Sequence, residues 1–332
     1  MRSRHPVRFV YVWPSDPVWY GYCVMNSTLT PACLQAEAVS PVPPRPRRGD
    51  GAVDCWFGRR RRARAMKESF LLVVDSHTHA FPDGLAEMAV GRLVGREGVR
   101  AYYDGTVSGL LGSMALRGVD RSVIAPVATK PSQVRTINDW VMGIGNERIV
   151  PLGAMHPDLP DPEEEIARLA AAGVRGIKLH SQNQDFSPEE ERMAPIYEAV
   201  IRHGMLILFH AGGFVVDEGT DAHPDVFAQM LDDWPGMVCI LAHMGGFRYW
   251  DEVREHLCGR QVYLDTAYVP GILPDDELLS LIREHGAHRV LFGSDGPWAD
   301  AGVEIAQLKD IGLTEDELGM ILSSNARALF GI

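Results

Sequence analysis

The sequence predicts a TIM barrel, the (β/α)8 architecture of the α/β class, running from about residue 71 to the C-terminus. Three observations carry this. Eight short apolar, β-branched runs recur between residues 71 and 295, amphipathic helical stretches separate them, and histidine, lysine and aspartate collect at the C-terminal ends of the runs. In that fold the C-terminal ends of the strands carry the working groups.

The first run is LLVVDSH (71–77), followed at once by Thr78 and His79. Then come RSVIAPVA (121–128), IVPLGAM (149–155), VRGIKLH (174–180), MLILFHA (205–211), MVCILAH (237–243), QVYLDTA (261–267) and RVLFGSD (289–295). Between them, DPEEEIARLAAAG reads as a helix started by Asp161 and Pro162 and ended by Gly173, its acidic start favoured by the helix dipole. SPEEERMAPIYEAVIRHG predicts another, with Ser187 as N-cap, Pro188 in the first helical position and Gly204 as the stop. Asn325 opens a last helix, NARALF, which it caps or anchors. Gly212, Gly213, Gly245 and Gly246 are expected to let loops turn tightly, and their spacing does not match a dinucleotide fingerprint.

Composition divides the chain. With 332 residues and 46% hydrophobic content it can bury one barrel or two ordinary domains. No apolar run approaches the roughly 20 residues of a membrane helix. Residues 1–65 hold 11 Arg, no Lys and 4 acidic residues, whereas residues 66–332 hold 21 basic and 40 acidic residues, a net of −19. The first part, with PVPPRPRRGDG and GRRRRARAM, shows no apolar periodicity and is expected to be a disordered basic extension. Its short FVYVW stretch, broken by Pro14, makes a poor signal peptide. Met66 opens MKESFLLVVDSHTHAF and reads as a start, so residues 1–65 are expected to be an addition outside the barrel domain, 66–332. The barrel part has only Cys239 and Cys258, which suits a reducing cytoplasm.

The strand ends suggest chemistry. Residues i and i+2 of a strand share a face, so His77 and His79 present two imidazoles side by side. Lys178 and His180 end the fourth run, His210 the fifth, His243 the sixth and Asp295 the eighth. His77, His79, His210 and Asp295 would converge at the barrel mouth with room for a water, a set that suits one divalent ion: zinc first, manganese or iron where geometry allows. Asp295 would hold or remove the proton of that water, and His243 would polarise a carbonyl or shuttle a proton.

DSHTH (75–79), GIKLH (176–180), FHAGG (209–213), LAHMGG (241–246), LFGSDGPW (291–298) and NARALF (325–330) appear in this order. With them the chain resembles the amidohydrolase superfamily, and within it the amidohydrolase-related branch that includes aminocarboxymuconate semialdehyde decarboxylase-like enzymes. The resemblance implies a metal on His77, His79, His210 and Asp295, with His243 catalytic. Some relatives carry a carboxylated lysine bridging two metals where Lys178 stands. An ordinary cation that pairs with an acidic neighbour or a substrate carboxylate is preferred here. His180 is expected beside the ligands or the substrate, Trp298 on the pocket wall or barrel rim, and Arg248 on an anionic substrate or the surface.

The implied activity is metal-dependent hydrolysis of a small lactone, amide or ester. Non-oxidative decarboxylation is the alternative, and the segment 81–105 offers it only Arg92, Arg96 and Arg100 as carboxylate clamps. The chain also resembles the TatD-type deoxyribonucleases in its H-x-H strand. Lys178 stands where those enzymes have a carboxylate, and a −19 body repels a phosphate backbone, so a nucleic-acid partner is not expected. An inactive metal-binding scaffold is opposed by the complete ligand set. The expected partner is a small-molecule substrate, with no membrane contact and a homodimer as the candidate assembly. A chain beginning at Met66 is expected to unfold as cooperatively, and to act as fast, as the full chain; scanning calorimetry and turnover of both forms check this, and loss of the cooperative transition counts against it.

Overall fold

The computed structural model of the chain describes residues 72–213 and 222–332; the extension 1–65 and the start at Met66 lie outside them. Nine strand segments make the wall: β1 (Val74–Thr78), β2 (Arg121–Ile124), β3 (Ile149–Pro151), β4 (Gly153–Ala154), β5 (Gly176–His180), β6 (Leu206–His210), β7 (Val238–Leu241), β8 (Tyr263–Asp265) and β9 (Val290–Leu291). All pairings are parallel and follow chain order. β3 and β4 are halves of one stave interrupted at Leu152, whose N–H still donates to Ile124 O at 2.9 Å. The two sheets meet again at a seam where Ser76 N–H donates to Phe292 O (2.8 Å), Asp295 N–H to His77 O (2.9 Å) and His79 N–H to Gly296 O (2.6 Å). The eight predicted runs thus become eight staves of a closed TIM barrel.

Alternation sorts the core into two layers. Leu206 and Leu208 of β6 pack with Val74, Val123, Leu152 and Leu291 inside the wall, where Ala326 and Phe330 of the C-terminal helix Asn325–Phe330 join them. Ile207 and Phe209, the intervening residues, belong to the larger layer between wall and helices. The same inward face that carries Leu206 and Leu208 ends in His210, and register sets His180 of β5 directly beside it.

The helix Pro162–Ala171 has Asp161 at its N-cap and Gly173 at φ 83° just past its end, as its sequence predicts. The next helix differs. It spans Ala194–Arg202, not a segment starting at Ser187. Ser187 N–H donates to Glu190 Oε1 (2.7 Å) and its hydroxyl to Glu189, closing a local turn that Tyr197 OH ties down at Pro188 O (2.7 Å). A single 3-10 turn, Glu191–Met193, leads into the α-helix, whose first turn carries Pro195. Gly204, at φ 61°, does end it. Asn325 anchors rather than caps: its Nδ2 donates to Ala287 O and Val290 O, both at 2.8 Å. Of the four glycines expected at tight turns, Gly212 (φ 83°) and Gly245 (φ 82°) take the left-handed conformation; at Gly212 a Cβ would lie 2.2 Å from Phe247 N.

Helix Ala301–Asp310 carries a buried acid, Glu304, which is 4% exposed, accepts from the Tyr268 backbone and has no partner for Oε2 among the described residues. Burial, then repulsion by Asp75, Asp295 and Asp265, holds this carboxyl well above its ordinary value of 4.5. A raised folded value means that the stability it contributes is complete below 4.5 and is lost as pH climbs through that raised value. Glu304→Gln keeps the shape without the titration. Its stability relative to wild type is expected to improve as pH rises from 4 to 8, by up to ~1.4 kcal/mol per pH unit within the window. Urea titrations across that range measure it, and a pH-independent difference contradicts it.

Candidate metal centre and substrate cavity

His77 and His79 stand at the top of β1, and Asp295 meets them across the seam. One potential ligand atom from each of these three residues lies within 4.8 Å of the others. His79 Nε2 is 3.0 Å from Asp295 Oδ1, and His77 Nε2 is 3.6 Å from the same oxygen. The other face of His77 is already committed: Nδ1 lies 2.9 Å from Asp265 Oδ2. Asp265 Oδ1 accepts from His243 N (2.9 Å) and Ala267 N (3.1 Å). An acceptor so placed asks for Nδ1–H on His77 and leaves the Nε2 lone pair facing the cavity.

Burial works against the charge on Asp295, Lys178, Asp75, His77 and His180 alike. It pushes Asp295 up, but the His79 hydrogen bond and the charges of His77, His79 and His243 outweigh it and hold the carboxyl at about 2. Lys178, 3.3 Å from His77 Nε2, is lowered by burial to about 8 against the pull of Asp265 and Asp295. Asp75, behind the ligands on β1, is raised by burial to about 7 although Ser294 N and Oγ donate to it at 2.9 and 2.6 Å. Burial also takes His77 and His180 well below the usual imidazole range.

His210 is placed differently from its three expected co-ligands. Its ring stacks on His180 at 4.0 Å and 7°. Nε2 lies 3.0 Å from Gly213 O and Nδ1 3.0 Å from His243 Nε2, while His243 Nδ1 is 2.7 Å from Ala267 O. Two carbonyls therefore bracket four ring nitrogens, and all three contacts together need three protons, one more than two neutral imidazoles carry. Burial, with repulsion from His180, His243 and Lys178, pushes His210 well below its ordinary value and disfavours that extra proton. A cation that takes a His210 lone pair relieves the deficit. The donor set fits a divalent metal: an ionised carboxylate, a histidine whose tautomer is fixed, and an imidazole pair one positive charge short.

Three residues at the site hold left-handed backbone despite a side chain: His243 (φ 58°), Tyr268 (φ 59°) and Asp295 (φ 64°). Such strain, of order 1–3 kcal/mol each, concentrates where geometry serves function. Trp298 stands against His79 with ring centroids 5.0 Å apart and walls a cavity of about 220 Å³ that Lys178, His180, His210, His243 and Arg92 also line. Arg248 does not line it. This residue is exposed, with its guanidinium 5.5 Å over the Phe247 ring. The left-handed turn at Arg248 (φ 70°) separates it from Phe247, which does line the cavity. Sequence reasoning misses Asp265, Asp75 and Tyr103, whose hydroxyl donates to His79 O at 2.7 Å. Asp265 stands at the end of β8, within the seventh run QVYLDTA, so the strand-end rule marks its position but not the direction of its side chain.

The amidohydrolase family model matches residues 74–332. The chain belongs to the amidohydrolase family. Solved structures with the same fold include the 5-carboxyvanillate decarboxylase of Sphingomonas paucimobilis, at 18% identity and TM-score 0.61, covering 79% of this chain and 99% of that one. A Pseudomonas putida protein described as a candidate 2-pyrone-4,6-dicarboxylic acid hydrolase aligns at 22% identity and TM-score 0.58, covering 79% and 98%. The 5-carboxyvanillate decarboxylase of Novosphingobium aromaticivorans, complexed with manganese and 4-hydroxy-3-methoxy-5-nitrobenzoic acid, aligns at 16% identity and TM-score 0.58, covering 80% and 97%. No curated protein matches in sequence. Amidohydrolase membership bears out the expectation of a metal-dependent enzyme of the hydrolase and carboxy-lyase type. Purified protein is expected to carry about one divalent ion per chain, and the His77→Ala/His79→Ala double variant far less. Elemental analysis measures both, and full occupancy in the double variant would remove the H-x-H pair from the ligand set.

Proposed function

We propose that this amidohydrolase adds water to a small carbonyl compound, a lactone, amide or ester, at the mouth of its barrel. The observation that carries the reading is an ionised Asp295 set against His77 and His79 inside a substrate-sized cavity. His77, His79 and Asp295 would hold a divalent ion, with His210 as fourth ligand; zinc is the first choice, and manganese or iron suits the same donors. When bound, such an ion supplies water acidified to a pKa of about 7.

The chain's own groups do the rest. Asp295 Oδ1 accepts the proton of the attacking water, and with a carboxyl held at about 2 it passes that proton on rather than keeping it. His243 lines the cavity, hydrogen-bonded through Nδ1 to Ala267 O and with Nε2 3.0 Å from His210 Nδ1, and is the relay to the leaving group once Nε2 turns from His210 to substrate. Lys178 is the cation that faces a developing oxyanion, and its value of about 8 keeps it mostly charged at neutral pH. His180 orients the substrate beside it. Trp298, Phe81 and Phe247 line the cavity and exclude bulk water.

One observation favours a second reading, non-oxidative decarboxylation. Of the three arginines in the segment 81–105, Arg92 lines the cavity while Arg96 and Arg100 do not. An arginine there suits an anionic substrate, and both kinds of similar structure are named for carboxylate-bearing compounds. Among the described residues no helix is long and apolar enough to cross a membrane. The two barrel cysteines, both free, support a reducing cytoplasm as the working compartment, and a homodimer is our proposed assembly.

His243→Asn tests the role assigned to the relay. The variant is expected to keep metal and fold while turnover drops about 10²-fold or more. Metal content and rate are read on one preparation, against lactones and amides in one arm and carbon dioxide release from aromatic acids in the other. Loss of metal would make His243 a ligand, and unchanged turnover would make it a packing residue.

A further inference from the structure

Asp265 is fully buried at the end of β8 and touches both halves of the site. Oδ2 faces His77 Nδ1 at 2.9 Å, and Oδ1 accepts the backbone N–H of His243 at 2.9 Å and of Ala267 at 3.1 Å. Ala267 in turn offers its carbonyl to His243 Nδ1 at 2.7 Å. One carboxylate therefore orients the imidazole next to Asp295 and steadies the left-handed backbone of His243 (φ 58°).

We propose that Asp265 is the positioning residue of this site: it holds His77 in the Nδ1–H tautomer, so that Nε2 is available to a divalent cation, and it locks the backbone of His243 in the same stroke. The proposal rests on the metal reading above. Its chemistry is the general one in which a ligating imidazole donates its second N–H to a carboxylate, which fixes ring and tautomer and raises ligand basicity. A purely structural Asp265 would need only Oδ1, which closes the turn to Ala267 and holds His243 N. The Oδ2 contact is the part that a structural role leaves unused.

Asp265→Asn separates the two. Asn keeps the shape, and its Oδ1 still accepts from His243 N and Ala267 N. Its Nδ2 now donates toward His77 Nδ1, which must give up its proton, and His77 becomes the Nε2–H tautomer with no lone pair toward Asp295. Two readouts follow on metal-free protein. Long-range ¹H–¹⁵N spectra of the imidazoles are expected to show His77 as Nδ1–H in wild type and Nε2–H in the variant, assigned by loss of the signal in His77→Gln. Competition titration with a zinc-binding chromophore is expected to show Zn²⁺ affinity about 10- to 100-fold weaker in Asp265→Asn, with an unchanged thermal midpoint of the metal-free form. Asp265→Ala serves as the structural control, and is expected to lower that midpoint by removing the Oδ1 contacts as well. If Asp265→Asn binds Zn²⁺ as tightly as wild type, or its His77 stays Nδ1–H, the proposal is overturned while the metal reading stands. If wild type itself binds neither Zn²⁺ nor Mn²⁺, the metal reading falls first and takes this one with it.

Discussion

The barrel depends on its seam. Parallel staves follow chain order around the wall, so the first and last must find each other across almost the whole sequence, and β9 is only two residues long. Continued backbone pairing past its end completes the closure, and the decisive bond is Asp295 N–H to His77 O at 2.9 Å. That bond is structural and functional at once, because the two residues it joins are also the two that bring carboxylate and imidazole together. Gly293 shows how little room there is: a Cβ at that position would sit 2.8 Å from His77 Cβ. Closing the sheet at this seam is also what sets His77 and His79 against Asp295, so the barrel wall and the candidate metal centre share the same contacts.

Closing the wall buries Asp75, Asp265 and Lys178, with Asp295 half-buried among them, and the three acids each have a specific neighbour. Asp75 leans on Ser294, Asp265 on His77 and two backbone N–H groups, and Asp295 on His79. Lys178 is the counter-cation that Asp265 and Asp295 share, and burial keeps its hold on the proton loose. Removing one member leaves another buried and uncompensated, which costs more than the lost contact itself. The strained backbones of His243 and Asp295 sit inside this network, where surrounding contacts over-determine their geometry.

The fold is legible in the letters because burial on the inner face and against the helices makes each stave a compact apolar run, and because glycines and prolines punctuate what lies between. His77, His79 and Asp295 are legible for the same reason, since period-2 alternation and the strand-end rule place them without any knowledge of contacts. The start of helix Ala194–Arg202 is not, because Ser187 and the acids after it have two uses, helix cap or closed turn, and only the tertiary bond from Tyr197 to Pro188 chooses. Arg248 misleads because chain proximity to a site says nothing of side-chain direction once φ turns positive. Asp265 is overlooked for a third reason: an aspartate at a strand end looks like a ligand only when it faces the mouth, and this one faces a histidine's back.

The two candidate reactions share one end of the cavity and differ at the other. The end made by strand tops is set by the barrel, and it presents the same acid, imidazoles and lysine to any substrate. The far end is set by the segment 81–105, which brings helix Asp83–Gly91, Arg92, Leu93 and Val99 against the cavity. Loops of this kind change without disturbing the wall, which is why neighbours at 16–22% identity keep the fold while being named for different chemistry. In the two proposed readings Arg92 is the contact that separates them: an acid clamped there by its carboxylate would have that group poised to leave, whereas a lactone, amide or ester would leave Arg92 unused and offer its carbonyl to water at the strand tops.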